Sequence, residues 1–157
     1  MGKIFISGSK SIVSLPRSIT YLIDKFIKEG NTILVGDCDG VDSAVQKYLN
    51  EKMYNNVSIY TSGDAPRNFY GNIRWNIVHL DAKNDGTTEE AIKDYYALKD
   101  KAMTEDCTSA LAIWDGQSRA TIANVSRVES MGKRVSLFKV VTEYQNGIKT
   151  FDVTRVK

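Results

Sequence analysis

The segment Ile33–Asp42 constrains the fold of this chain most strongly. An apolar run ends at Gly36, crosses an acidic stretch that contains Gly40, and enters an amphipathic helical pattern. In α/β proteins, this strand–loop–helix passage brings bare backbone close to a ligand, because glycine permits tight turns and close approach. The helix start that follows offers free N–H groups and a positive dipole end, which favour phosphate. A second passage of this kind occurs at Ala112–Ser118, so the sequence predicts a nucleotide-type ligand held between two loops.

Composition restricts the class of protein. A chain of 157 residues, 42% of them hydrophobic, predicts a single domain over residues 1–157. The net charge is only +2 and no stripe of Lys and Arg is present, so no direct nucleic-acid contact is expected. Cys38 and Cys107 lack metal-ligand spacing, and neither a metal nor another cofactor is expected. Without a signal-peptide pattern or an apolar run of ~20 residues, the chain is expected to be cytoplasmic and to have no membrane partner.

Apolar spacing predicts strands that alternate with helices. Strands are expected at Lys3–Ser7, Asn31–Val35, Val57–Thr61, Ser109–Trp114 and Arg134–Thr142. Helices are expected from Leu15-Pro16 to the cap Gly30, from Val41 to Leu49, from the capping box Thr87–Glu90 to about Glu105, and from Ser118 to Met131. This alternation predicts an α/β fold with parallel strands and right-handed crossovers.

Two segments leave the pattern. Asn146-Gly147 is typical of a type I′ turn, so Ile148–Val156 should return antiparallel beside the preceding strand. Ser62–Gly86 is polar, and its part Asn72–Leu80 fits either a strand or a helix. The sheet is therefore expected to be mostly parallel, with an antiparallel hairpin at its C-terminal edge.

Four segments could form a ligand site, and each has a simpler explanation beside the functional one. Ser7-Gly8-Ser9-Lys10 suits phosphate but also has the composition of an ordinary strand–helix turn. In the second segment, the candidates are Gly36, Asp37, Gly40 and Asp42; capping explains Asp42 alone, but not two glycines and three aspartates together. Arg67-Asn68 could clamp a phosphate or a carboxylate, or could lie exposed on the surface. The fourth segment offers Asp115, Gly116, Ser118 and Thr121, whose hydroxyls at a helix start either cap the helix or hold phosphate.

Several types of chemistry are disfavoured. His79 is the only histidine and has no Ser or Cys motif near it, which argues against a catalytic triad. The Walker A motif and the G-x-G-x-x-G fingerprint of standard dehydrogenases are both absent.

The order of the motifs resembles the SLOG superfamily. The matching elements are Ser-Gly-Ser after the first strand, Val-Gly-Asp-x-x-Gly-Val-Asp, Pro-Arg-Asn, Lys99-Asp100-x-x-Met103 and Ile113-Trp114-Asp115-Gly116-x-Ser118. This Rossmann-like group includes the LOG cytokinin-activating enzymes and the DNA-processing protein of bacterial transformation. The chain is most similar to its small bacterial and phage members, described as nucleotide-derivative binders, over residues 3–139.

The resemblance implies a Rossmann-like, doubly wound fold that holds a nucleotide or an ADP-ribose-like ligand at the carboxyl ends of the strands. It implies that Lys99, Asp100 and Met103 border the pocket, and that the protein forms a homo-oligomer through helices that flank it. One departure concerns activity. Ala120 stands where LOG enzymes have the last loop glycine, and no carboxylate follows Thr121, which disfavours phosphoribohydrolase activity.

The function expected from these features is binding or sensing of a nucleotide-derived small molecule. The alternative is an N-glycosidase or deoxyribosyltransferase-like enzyme, in which Asp37, Asp39, Asp42 or Asp115 would be the acid–base group. A DNA-associated or protein-binding module is a third hypothesis, and the near-neutral charge disfavours direct DNA contact.

Overall fold

Seven strands and four helices form the described part of the chain, residues 2–80 and 88–157 of a computed structural model. The strands are β1 (Lys3–Gly8), β2 (Thr32–Val35), β3 (Val57–Thr61), β4 (Asn76–His79), β5 (Ser109–Trp114), β6 (Arg134–Gln145) and β7 (Ile148–Arg155). The helices are α1 (Arg17–Lys28), α2 (Val41–Glu51), α3 (Glu89–Asp106) and α4 (Arg119–Ser130).

All seven strands lie in one sheet, in the order β4-β3-β2-β1-β5-β6-β7. The first six strands of this order are parallel, and β7 is antiparallel to β6. The α/β fold class, the mostly parallel sheet and the C-terminal antiparallel hairpin are therefore confirmed. The order reverses direction between β1 and β5, which is the switch point where open α/β sheets bind ligands.

The core has two layers because successive side chains of a strand point to opposite faces of the sheet. Ile4 and Ile6 of β1 pack with residues of α1 and α2 on one face. Phe5, between them, packs on the other face with Met103 of α3 and Val125 of α4. Helices therefore cover both faces, and the carboxyl ends of the central strands stay accessible from one edge.

Most predicted elements form, with three differences. Asn72–Leu80, left open between strand and helix, contains the short edge strand β4. Thr87 lies outside the described residues, and Thr88 instead caps α3 by accepting a hydrogen bond from the Ala91 N–H. Strand β6 continues three residues past the expected end at Thr142, because its ladder with β7 extends to Gln145 after the pairing with β5 has ended.

The hairpin turn has the predicted geometry. Asn146 and Gly147 have φ values of 52° and 77°, and positive φ at both central residues defines a type I′ turn. Among the described residues, no helix combines the length and the apolar character needed to span a bilayer. The single domain, the homo-oligomer and the cytoplasmic location stay predictions.

Candidate ligand-binding site

A cavity of about 430 Å³ lies at the switch point, where the loops that follow β1 and β5 meet. It is lined by Ser7, Gly8, Lys10, Ser11, Cys38, Asp42, Lys99, Asp100, Asp115, Ser118, Arg119, Ala120, Thr121 and Asn124. The lining residues come from the end of β1, the β1–α1 loop, the β2–α2 loop with the start of α2, α3, the β5–α4 loop and α4. Their charges separate the cavity into two ends.

The first end is the β5–α4 loop, which Asp115 organises. Its Oδ1 accepts hydrogen bonds from the N–H groups of Gln117 and Ser118, both at 2.8 Å, and its Oδ2 accepts one from the Ser11 hydroxyl at 2.6 Å. Burial alone would raise the pKa of Asp115, but these hydrogen bonds outweigh it and hold the pKa below its ordinary value. Asp115 is therefore an ionised structural anchor that accepts three hydrogen bonds from its surroundings.

The start of α4 is capped by hydroxyls. Ser118 Oγ accepts a hydrogen bond from the Thr121 N–H at 3.3 Å and lies 3.0 Å from Thr121 Oγ1. The N–H groups of Arg119 and Ala120 belong to the first helical turn and have no partner within the helix. These two N–H groups form part of the positive end of the helix dipole, where an anion is stabilised.

Behind the cavity wall, Ser9 joins the two central loops. Its Oγ accepts a hydrogen bond from the Asp115 N–H at 3.0 Å and lies 3.3 Å from Thr121 Oγ1. Ser9 is almost fully buried. It therefore holds the ligand-facing loops together rather than lining the cavity.

Gly40 explains how the β2–α2 loop approaches the β1–α1 loop so closely. Its φ of +77° is unfavourable for residues with a side chain, and a Cβ at this position would collide with the backbone of Lys10. The glycine is thus required for packing between loops, and it does not line the cavity.

The second end of the cavity is acidic and contains a buried lysine. Lys99 has a 3% exposed side chain, and its Nζ donates a hydrogen bond to Asp100 Oδ1 at 2.9 Å. A Cβ at position 36 would lie 2.7 Å from Asp42 Oδ2 and 3.1 Å from Lys99 Nζ, so Gly36 makes room for both groups. Asn124 of α4 closes this end by donating a hydrogen bond to Asp100 Oδ2 at 3.3 Å.

Burial changes the protonation of this acidic end. It raises the pKa of Asp42 to about 6, although the ammonium of Lys99 lowers it. Burial also disfavours the charged form of Lys99, but Asp100 and Asp42 raise its pKa above the ordinary value. Asp42 is therefore a cavity carboxyl group that titrates near neutral pH beside a lysine that stays charged.

Arg67 does not reach the cavity, because Asp37 binds it. Arg67 donates to both oxygens of that carboxylate, with Nη2 2.9 Å from Oδ1 and the backbone N 2.9 Å from Oδ2. Asn68 donates to the backbone oxygen of Asp37 at 2.9 Å, and the Arg67 guanidinium also stacks 4.1 Å from the Tyr96 ring centre. Burial would raise the pKa of Asp37, but the hydrogen bonds and charge of Arg67 lower it below the ordinary value.

The structure divides the candidate residues into two groups. Seven line the cavity: Ser7, Gly8, Lys10, Asp42, Asp115, Ser118 and Thr121. Seven do not: Ser9, Gly36, Asp37, Gly40, Arg67, Asn68 and Gly116. Of the four candidate glycines, Gly8 is among the lining residues, whereas Gly36, Gly40 and Gly116 lie in the loops around the cavity.

Sequence reasoning missed several lining residues. Ser11 and Asn124 lie outside every segment predicted to form the site, Arg119 lies within the loop Asp115–Thr121 but has no predicted role of its own, and Cys38 is predicted only as a small loop residue. Helical spacing could have indicated Asn124, because it lies one turn after Thr121 and Ala120 on the same face of α4. No comparable local signal exists for Ser11, since its position depends on how the β1–α1 loop folds over Asp115.

A scan against protein-family models finds no match, and a search of curated proteins finds none. A solved structure of DNA processing protein A from Helicobacter pylori, described for its single-stranded DNA binding mode, is similar with a TM-score of 0.60 and 15% sequence identity. The similarity covers 86% of this chain and 64% of that chain, so this chain spans less than two thirds of its neighbour's length. At this identity the likeness shows the fold alone, and that fold agrees with the expected Rossmann-like α/β architecture.

The comparison corrects one expectation. The near-neutral charge led to the prediction of no direct nucleic-acid contact, and that prediction is wrong: a protein with this fold is described as binding single-stranded DNA. Net charge sums over the whole surface, whereas binding depends on the local field of a cleft. A chain of charge +2 can still present cations such as Lys10 and Arg119 together at one cavity.

Proposed function

We propose that this protein binds a phosphorylated nucleoside unit in the cavity at the switch point. The phosphate lies at the start of α4 and the ribose at the acidic end. The observation that carries the proposal is the polarity of the cavity: hydroxyls and cations line one end, and Asp42 with Asp100 lines the other. A nucleotide has the same polarity, with an anionic phosphate joined to a neutral sugar rich in hydroxyls.

The phosphate end has the groups that such a ligand needs. Arg119 and Ala120 are the first residues of α4, where N–H groups have no partner within the helix, and Ser118 and Thr121 add hydroxyls. Lys10 and Arg119 supply positive charge that offsets the carboxylate of Asp115. These two cations take the role first considered for Arg67, which is held by Asp37.

The sugar end can accept hydrogen bonds. Carboxylate oxygens of Asp42 and Asp100 accept from ribose hydroxyls, and a second anion would be repelled there. The carboxylate of Asp37, another candidate from the sequence, is already bound by Arg67 through both of its oxygens. The orientation of the ligand is thus set by charge at both ends.

The test is a binding titration with probes that separate free nucleotides from nucleic acid. Native mass spectrometry of freshly purified protein is followed by calorimetric titration with a panel of 5′-mononucleotides and the matching nucleosides. A parallel titration compares a short single-stranded oligothymidylate carrying a 5′-phosphate with the same strand lacking it. We expect the 5′-phosphate to increase affinity at least tenfold either among the mononucleotides or in the oligothymidylate. The set of probes that responds shows whether the ligand is a free nucleotide or single-stranded DNA. Equal affinity with and without phosphate in both series would overturn the proposal.

A second candidate function is cleavage of an N-glycosidic bond, favoured by one observation. Asp42 is a buried cavity carboxyl group with a pKa of about 6, near the pH at which an acid–base group is most effective. The test of this second function is to measure the release of free base from the mononucleotides and nucleosides that bind. In an enzyme, Asp42→Asn abolishes base release while ligand affinity changes by less than about tenfold. No base release from any bound probe removes this candidate and leaves the binding proposal standing.

A further inference from the structure

A stacked pair of side chains, Arg67 and Tyr96, lies directly beside the acidic end of the cavity. The arginine is placed there by its contact with Cys38, a lining residue whose Sγ is 3.0 Å from Arg67 Nη2. The position of the tyrosine on α3 indicates the same location independently. Tyr96 precedes the lining residues Lys99 and Asp100 on one face of the helix, a single turn of about 5.4 Å away. The pair therefore continues the cavity wall beyond the acidic end.

This pair is preformed and accessible. Arg67 is fixed by its hydrogen bonds to Asp37, and its guanidinium carbon lies 4.1 Å from the ring centre of Tyr96. The Tyr96 ring packs edge-on against Tyr95, with 4.9 Å between the ring centres. Exposed fractions of 34% for the Arg67 side chain and 37% for Tyr96 leave part of both groups open to a ligand. Since the two groups are already ordered, binding a ligand there costs little conformational entropy.

The chemistry of the pair suits an uncharged, planar π-system. Nucleobases stack on the faces of aromatic rings and of guanidinium groups, and a cation is also attracted to π-electrons. Asp42 and Asp100, at the adjoining end of the cavity, repel a second anion but not a neutral base. A base is joined directly to its ribose, so a ribose at the acidic end holds its base next to this pair.

We propose, on the basis of the function proposed above, that Arg67 and Tyr96 form the base subsite of the nucleotide site. The phosphate lies at the start of α4, the ribose lies at Asp42 and Asp100, and the base extends past Cys38 onto the exposed part of the pair. The π-face of the base is the feature recognised. Purine nucleotides, which have the larger ring system to stack, are the preferred ligand class.

The experiment separates the contribution of the base from that of the phosphate and the sugar. AMP, CMP and methyl β-ribofuranoside 5-phosphate are titrated into the full-length protein by calorimetry. The riboside carries the phosphate and the closed sugar ring, with a methoxy group in place of the base. We expect AMP to bind at least tenfold more tightly than the riboside, and CMP to have an affinity between the two.

Variants at Tyr96 test whether its ring contacts the base. Tyr96→Leu keeps an apolar side chain on α3 without the ring, and should lower AMP affinity about tenfold while riboside affinity stays within twofold. Tyr96→Phe keeps the ring and should bind both ligands as wild type does. The matched control is Tyr21→Leu, which removes an exposed tyrosine of α1 that pairs with Lys25 at 5.9 Å and does not line the cavity. This control should change neither affinity.

The results distinguish this inference from the proposed function, which fails if the phosphate adds nothing to affinity. The base subsite fails if the base adds nothing: AMP that binds no more tightly than the riboside, or no binding of either, overturns it. Equal losses for both ligands in Tyr96→Leu also overturn it, because the ring then only supports the cavity, as does unchanged AMP affinity. CMP affinity equal to or above that of AMP overturns the purine preference. A cooperative thermal unfolding transition shows that each variant is folded.

Discussion

The two glycine-containing loops of this protein look alike in sequence and have different roles in the structure. Each follows a buried strand, contains an aspartate beside a glycine, and leads into a helix. The β5–α4 loop faces the cavity with its hydroxyls and free N–H groups. The β2–α2 loop is covered by Arg67 and Asn68, and its Asp37 has a 2% exposed side chain. Only Cys38 and, at the start of α2, Asp42 reach the cavity from it.

The difference depends on where each loop carboxylate finds its partners. Asp115 binds groups within its own loop and the neighbouring Ser11, so the helix start stays accessible. Asp37 binds an arginine 30 residues later, which brings a second loop over it. A glycine-containing loop pattern therefore predicts that the loop lies near the cavity. Whether the loop faces a ligand or supports its neighbours depends on the hydrogen-bond donors that other segments bring to its carboxylate.

The largest expected effect comes from adding negative charge to the open loop. Ser118→Asp should lower the affinity for a phosphorylated nucleoside about 100-fold, equal to ~2.7 kcal/mol, through like charge at the phosphate. Both Asp and Asn are good helix caps, so Ser118→Asn keeps the cap without the charge and should stay within a few-fold of wild type. Calorimetry on both variants provides the measurement. Unchanged affinity in the Asp variant would show that the phosphate lies elsewhere.

The next effect concerns the covered loop. Arg67→Ala leaves the buried carboxylate of Asp37 without its cation, and removal of one partner of a buried pair typically costs 3–5 kcal/mol. Because the Arg67 side chain is 34% exposed, solvent reduces the expected loss to about 2 kcal/mol, measured by urea unfolding at pH 7. The double variant Arg67→Ala with Asp37→Asn should recover part of this loss. Equal stability of Arg67→Ala and wild type would contradict the support role.

A pH-dependent effect is expected at the acidic end. The pKa of Asp42 is about 6 in the folded chain against an ordinary 3.8, so the folded state binds its proton more tightly than the unfolded state. Wild-type stability should therefore fall as pH rises from about 4 to about 6 and lose no more from this group above that range. Asp42→Asn removes the dependence and the buried charge, so it should be more stable than wild type at pH 7. The expected gain is only about 1–2 kcal/mol because Lys99 loses one of its two carboxylates in exchange. Unfolding measured at pH 4 and pH 7 gives the comparison, and a difference that does not grow with pH would refute it.

The smallest effect tests the anchor of the open loop. Ser11→Ala removes the hydroxyl that donates to Asp115 Oδ2 and should cost about 1 kcal/mol of stability. The same change should raise the pKa of Asp115 toward its ordinary value, which NMR titration of the carboxyl carbon measures. The pKa of Asp37 should stay unchanged, since its partners lie in the other loop.

The sequence by itself determined the alternation of strands and helices and the antiparallel hairpin. These features depend on local signals: apolar periodicity, glycine at helix ends, and an Asn-Gly turn. The similarity of the two loops is also a local signal, because it consists of consecutive residues such as Gly36-Asp37 and Asp115-Gly116.

Tertiary structure alone decided which residues face the cavity. Arg67 is bound to Asp37 because the loop after β3 folds over the loop after β2, a contact that no spacing within either segment predicts. Lys99 reaches Asp42 from α3, and Lys139 reaches Gly116 from β6, because the sheet order places distant elements side by side. Local sequence sets the conformation of a segment, whereas burial and ion pairing are settled only when segments pack together.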